Sequence, residues 1–252
     1  MKVLFILTET LRKSKGDAKK YPLATQEDIH LGVSYISALL EHNGHRTDLF
    51  MTSTPDELDD LDALIREYEP EVIGFSTVYR EFPSVVKVAE HVKNTFPNIF
   101  LFAGGTHVTL NPQITIEKSF DAVCIGEGEY PVLELVEQLE KHKKTSGIRN
   151  FWFKTENGIE KNETREYIMD LDALPFPNRK MWQRYVKNKT GIHDVLVGRG
   201  CVFNCTYCCN HALKKVSNGQ YVRFRSPDNV IAEIKMMVEE YPDMDTVFLH
   251  LN

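Results

Sequence analysis

Four short apolar runs recur along the first half of the chain, at 3–7, 72–75, 99–103 and 122–125, with a weaker one at 47–51. They are too continuous for half-exposed strands and suit strands buried on both faces of a parallel sheet. Between them the apolar spacing changes to three and four. Val33, Ile36, Leu39 and Leu40 form one such set, Leu58, Leu61, Leu64 and Ile65 a second, and Val85, Val88, Ala89 and Val92 a third. A last amphipathic helix carries Val132, Leu133, Leu135, Val136 and Leu139. Gly44, Pro70 and Pro97 stand where these helices should stop. Strands alternating with helices predict a doubly wound α/β domain over residues 1–145.

The pattern changes at residues 146–190. Two extended stretches, 148–154 and 159–165, flank Glu156-Asn157-Gly158, and Asn-Gly is a strong short hairpin signal. Leu174-Pro175-Phe176-Pro177-Asn178-Arg179 then reads as a proline-stiffened crossing. Residues 191–252 restart the alternation with a strand at 192–197, a helix opened by Ser226-Pro227-Asp228 and a strand at 246–251. Ser226 suits an N-cap and Pro227 the first helical position. A strand, a helix and one more strand cannot close a barrel, so the expectation is an incomplete second unit.

Length and charge narrow this reading. A chain of 252 residues accommodates one large domain or two smaller ones. Its net charge of −6 is spread over interleaved acids and bases without a long basic run, which argues against a nucleic-acid partner. The apolar run at 3–7 is too short for a signal-peptide core, and no stretch approaches the roughly 20 apolar residues of a membrane span. These features predict a cytoplasmic protein whose thiols stay reduced. Four of its five cysteines fall between positions 201 and 209, which then argues for metal binding rather than disulfides.

The sharpest chemical signal is Cys201-Val202-Phe203-Asn204-Cys205-Thr206-Tyr207-Cys208, a Cys-x3-Cys-x2-Cys run directly after a strand. Thiolates are the usual ligands of iron–sulfur clusters, and three of them hold three irons of a cubane while the fourth iron stays open. Structural zinc would need a fourth ligand, with Cys209 and His211 nearest, and the run lacks the paired Cys-x2-Cys spacing of common zinc modules. Cys124 lies inside an apolar run and reads as a small buried hydrophobe. No Gly-x-Gly-x-x-Gly or Walker phosphate loop occurs.

Gly198-Arg199-Gly200-Cys201 through Cys208, with aromatic Tyr207 before the third cysteine, resembles the signature of the radical S-adenosylmethionine superfamily. The resemblance implies a 4Fe-4S cluster on Cys201, Cys205 and Cys208, with S-adenosylmethionine chelated at the open iron and Tyr207 near its adenine. It also implies that 191–252 begins a partial TIM-type barrel, here truncated. The cofactors supply the hard chemistry, cleavage to a 5′-deoxyadenosyl radical, while the protein supplies position and exclusion of water.

A second resemblance rests on order. Ser76-Thr77, Gly104-Gly105-Thr106-His107, Gly126-Glu127-Gly128-Glu129 and the Leu174–Pro177 crossing precede the cysteines in the manner of cobalamin-binding radical enzymes. It implies a Rossmann-like, flavodoxin-like cobalamin domain with Ser76, Thr77, Gly104, Gly105, His107, Gly126, Glu127 and Gly128 as cobalamin-binding residues. Glycines at strand ends let a ligand approach the backbone closely, at the edge where open α/β sheets bind ligands. Plainer readings remain beside it: acids at a helix N-terminus for the Gly126 turn, and a hydrogen-bonded loop histidine for His107. Many such domains place a cobalt-ligating histidine in Asp-x-His-x-x-Gly after the first strand. Here the loop is Thr8-Glu9-Thr10-Leu11-Arg12-Lys13-Ser14-Lys15-Gly16, without one.

The family resemblance predicts a methyltransferase or a rearranging or ring-closing enzyme acting at an unactivated carbon of a small-molecule, natural-product or lipid substrate. An external flavodoxin or ferredoxin would donate the electron. A chain of this length is expected to be inactive alone. Two other readings are a radical enzyme whose first domain holds no cobalamin, and a non-enzymatic zinc module on the same thiolates.

Overall fold

The computed structural model describes residues 1–8, 29–52, 57–141, 145–185 and 191–251. The loop after the first strand, where the ligating histidine is missing from the sequence, lies outside the described residues beyond Thr8.

The apolar runs become β1 (Lys2–Thr8), β2 (Arg46–Thr52), β3 (Val72–Ser76), β4 (Phe100–Gly104) and β5 (Ala122–Cys124), all mutually parallel in the order 2-1-3-4-5. That is the flavodoxin-like order. Alternation along β1 explains why its run is unbroken. Val3, Phe5 and Leu7 join a core beneath α1 (Leu31–His42) and α6 (Glu129–Glu140), whereas Leu4 and Ile6 join a second core beneath α2 (Leu58–Tyr68) and α3 (Phe82–Thr95). Leu4 and Ile6 are fully buried, and each such side chain contributes about 1.5–3 kcal/mol relative to exposure.

The Asn157-Gly158 hairpin forms with shorter strands than its pattern suggests, as β6 (Phe151–Thr155) and β7 (Gly158–Lys161). It does not stand apart as a linker: β6 pairs antiparallel with β5, Cys124 opposite Phe151, and extends the first sheet to seven strands. Phe151 and Phe153 enter one core and Trp152 packs against the other, the two-residue period of a strand covered on both faces. The proline crossing is likewise docked. Trp182 is buried in the α1/α6 core and its indole N–H donates to Ser34 Oγ at 2.7 Å, while the Asn178 N–H donates to Ser34 O at 3.0 Å.

Beyond it lie β8 (Ile192–Arg199), α7 (Asn210–Leu213), β9 (Arg223–Phe224), α8 (Pro227–Glu240) and β10 (Thr246–Leu251). They form a three-stranded sheet ordered β10-β8-β9, with β10 parallel and β9 antiparallel to β8. Ser226 caps α8 by accepting the Asn229 N–H at 3.1 Å. Val195 of β8 packs with Val230 and Met237 of α8, so this second core is small. A buried triad ties it to the crossing: Glu233 accepts from Arg179 at 2.7 Å and from Arg225 at 2.5 Å.

Candidate functional site

Parallel strands order their loops along one sheet edge, and ligands of such sheets bind outside the carboxyl ends, where strand order reverses. A cavity of about 300 Å³ lies there. Its floor is Phe5, Phe75, Ser76, Phe102, Gly104, Gly105 and Cys124, and its far wall comes from the second sheet through Leu196, Arg199, Gly200, Tyr221 and Arg223. It is therefore a cleft between the two sheets. Burial pushes the Cys124 thiol up to about 12, so it faces the cavity neutral.

Six of the eight expected binding residues line this cavity: Ser76, Gly104, Gly105, Gly126, Glu127 and Gly128. The glycines are there for backbone reasons. Gly105 has φ +94, and a Cβ on it would stand 2.8 Å from both Thr77 N and Thr77 O. The fit comes from hydrogen bonds on either side: the Thr77 N–H donates to Gly104 O and the His107 N–H to Thr77 O. Gly126, with φ +83, turns its N–H onto Thr109 Oγ1 at 3.0 Å. Two short helices follow the Gly105 turn, α4 (Thr106–Leu110) and α5 (Pro112–Ile116), which periodicity does not foretell.

Thr77 and His107 fall outside the cavity lining. Thr77 is buried and holds the turn, its hydroxyl donating to Val78 O at 3.0 Å. His107 is not the hydrogen-bonded loop histidine considered above: it is buried, neither ring nitrogen has a partner among the described residues, and the ring packs with its centroid 4.1 Å from that of Phe82. A buried imidazole without a partner resists protonation, and burial lowers its pKa from the ordinary 6.5.

Cys201, Cys205 and Cys208 sit in the loop between β8 and α7, partly exposed, with Cys209 more exposed at the helix start. The Cys208 N–H donates to Cys205 O at 3.1 Å, and the thiols form no disulfide. Tyr207 is 92% exposed, and Val202 and Phe203 are exposed with it. Among the described residues no three Cys, His, Asp or Glu side chains are gathered in a metal-binding geometry. The three cysteines thus share a loop without converging. Only Gly200, at the loop's root, reaches the cavity wall.

The charges of the site are arranged between the sheets. Glu127 accepts from Arg199 at 2.9 Å, from Arg223 at 2.9 Å and from the Ile168 N–H at 2.7 Å. Glu129, the first residue of α6, accepts from Arg199 at 2.5 Å. Burial alone would raise the Glu127 carboxyl, but the two arginines and the Ile168 N–H overcome it and hold its pKa below the ordinary value. Burial likewise works against the charge on Arg199, and Glu129 and Glu127 more than offset it.

The B12-binding domain family matches residues 24–136. An uncharacterized methyltransferase of Pyrococcus horikoshii is 29% identical over 225 residues, 87% of this chain and 48% of that protein. The cobalamin-dependent radical SAM methyltransferase TokK of Streptomyces tokunonensis is 39% identical over 159 residues, 56% of this chain and 22% of TokK. Among solved structures, the cobalamin-dependent S-adenosylmethionine radical enzyme OxsB, with aqua-cobalamin and S-adenosylmethionine bound, superposes with TM-score 0.74 at 13% identity. That match covers 99% of this chain and 34% of OxsB. The chain is thus similar to cobalamin-binding radical S-adenosylmethionine proteins. It spans about half the length of the first curated relatives it matches.

The sequence motifs locate the cavity floor better than its far wall. Arg223 and Tyr221 carry no motif, and Arg199 lies in the recognisable run without a chemical reason to single it out. Their signal is topological: β9 pairs with β8 so that Arg223 stands opposite Arg199.

Proposed function

We propose that the chain binds cobalamin in the cleft between its sheets and a 4Fe-4S cluster on Cys201, Cys205 and Cys208, and contributes to radical methylation, rearrangement or ring closure of a small-molecule substrate. The observation that carries the reading is the glycine-lined cavity at the carboxyl edge of β3, β4 and β5, walled on its far side by the root of the cysteine loop. At about 300 Å³ it is at the lower end of small-molecule sites, and its lining would hold the nucleotide tail of a cobalamin. Gly104 and Gly105 let that tail approach the backbone, and Ser76 Oγ offers a hydrogen bond beside them.

The donor set of the cysteine loop suits a cluster: three reduced thiols within eight residues and partial exposure for loading. With S-adenosylmethionine bound, such a cluster supplies the electron that releases a 5′-deoxyadenosyl radical. Tyr207, exposed beside Cys208, would in this reading lie near the adenine. In this reading β8, α8 and β10 are the first βαβ unit of a radical barrel, and an external flavodoxin or ferredoxin provides the reducing equivalent. No helix among the described residues is long and apolar enough to cross a membrane.

Anaerobic reconstitution with iron and sulfide, followed by electron paramagnetic resonance of the reduced sample, tests the cluster. Wild type should show a signal that S-adenosylmethionine perturbs, and Cys205→Ala should lose it. A Cys205→Ala variant with an unchanged signal would overturn the assignment, as would a preparation that takes up zinc and no iron.

A further inference from the structure

Arg199 and Arg223 face each other across the β8–β9 ladder, where like charges disfavour pairing. The compensating charge does not come from their own sheet. It comes from Glu127 and Glu129, on the loop and first helical turn that follow β5 of the other sheet. Arg199 forks between the two carboxylates, one nitrogen to each, and Arg223 shares Glu127 while also donating to Ile168 O at 2.8 Å. Two acids and two guanidinium groups make a neutral set with Arg223 and Glu129 almost wholly buried.

The position of this set matters because both its ends touch site machinery. Glu127, Gly128, Glu129, Arg199 and Arg223 line the cavity. Arg199 is two residues before Cys201, and the intervening Gly200, with φ +87, is pressed against the Tyr221 carbonyl so that a Cβ there would meet it at 2.2 Å. The route from Glu129 to the first cysteine thus runs through one guanidinium and one glycine that cannot be displaced cheaply. A buried charged set also has few alternative arrangements, since any that separates its members leaves a carboxylate or guanidinium unpaired in low dielectric.

We propose that Arg199 is a positioning residue that couples filling of the cavity to ordering of the cysteine loop, through its fork onto Glu127 and Glu129. A ligand that settles against the Gly126–Glu129 turn fixes the carboxylates, the carboxylates fix the fork, and the fork fixes the root of the loop that carries Cys201, Cys205 and Cys208. Because coupling is reciprocal, loading the loop tightens the cavity by the same factor. The inference rests on the proposed function for the identity of the ligand, and its test separates the two.

The test is hydrogen exchange of the whole chain with and without saturating hydroxocobalamin, with binding followed independently by visible absorbance. In wild type, exchange at 199–209 should slow about tenfold on binding, toward the low end of usual coupling factors. In Arg199→Lys and in Glu129→Gln, compared at corrinoid concentrations that absorbance shows to be saturating for each variant, exchange at 104–110 should slow while the effect at 199–209 falls below about twofold. Lysine keeps the charge but cannot fork to two carboxylates, so full slowing in Arg199→Lys would reduce Arg199 to charge balance and overturn the proposal. Wild-type slowing at 104–110 without any at 199–209 would overturn it too, and that result needs no variant to fold. Absence of corrinoid binding by wild type would instead remove the proposed function, and this inference with it.

Discussion

Gly105→Ala isolates the turn on which the cavity floor depends. At φ +94 and ψ 179 the residue occupies a region of backbone space essentially restricted to glycine, and holding another residue there costs about 1–3 kcal/mol. The added methyl would also stand 2.8 Å from Thr77 N and O and 3.0 Å from Ser76 Oγ. The first two are backbone atoms fixed by the Gly104–Thr77–His107 hydrogen bonds, so they cannot rotate away. Together these effects predict a loss of about 2–4 kcal/mol. Gly44→Ala is the matched control, since Gly44 has φ +83 but nothing within 4 Å of its would-be Cβ. It should lose only about 1 kcal/mol. Urea unfolding followed by tryptophan fluorescence reads both, Trp182 being buried. With a slope of about 2 kcal/mol per molar, Gly105→Ala should lower the midpoint by on the order of 1–2 M and Gly44→Ala by about 0.5 M. Equal shifts would refute the claim that close packing, beyond dihedral strain, holds this turn.

His107→Leu removes a buried imidazole that has no partner, so at pH 7.5 its urea midpoint should match or exceed wild type. Burial depresses the His107 pKa in the folded state below 6.5, so the stability it permits is present above that pH and is lost as pH falls below it. His107→Leu should therefore lose less than wild type between pH 7 and 5, and an identical loss would contradict the assignment. Glu233→Gln leaves two buried guanidinium groups facing a neutral amide, and thermal unfolding should report a loss of about 3–5 kcal/mol; under 1 kcal/mol would show that the triad contributes little. Ser226→Ala removes the cap of α8 and should cost about 1 kcal/mol, with faster hydrogen exchange confined to the first turn.

How far the sequence discloses this protein depends on the range of the interactions involved. The strands β1, β3, β4 and β5 were legible because their side chains enter cores on both faces and their runs are almost wholly apolar, whereas β2, at the sheet edge, opens with Arg46-Thr47-Asp48 and gives a weaker signal. The hairpin announced itself through Asn157-Gly158, although only the glycine takes a positive φ, +113, and it opens β7 rather than sitting at the centre of the turn. Its attachment to β5 was not legible, since nothing local marks Phe151 as the partner of Cys124. The same limit hides the Glu127–Arg199–Arg223 set, whose members are 72 and 96 residues apart. Thr77 and His107 share motifs with residues that line the cavity, and motif membership could not tell lining from support. The cysteine run is the converse case: its spacing picks out Cys201, Cys205 and Cys208 as the expected ligands, while among the described residues their side chains are not gathered into a metal-binding group.

On the proposed reading, one chain carries two cofactor sites on either side of a single cleft. The most direct measurement of this is simultaneous iron, cobalt and zinc analysis of chain reconstituted anaerobically with iron and sulfide in the presence of hydroxocobalamin, after removal of unbound material. The account predicts about four irons per chain, cobalt stoichiometric with the chain and no zinc. Zinc in place of iron, or iron with no retained cobalt, would contradict it.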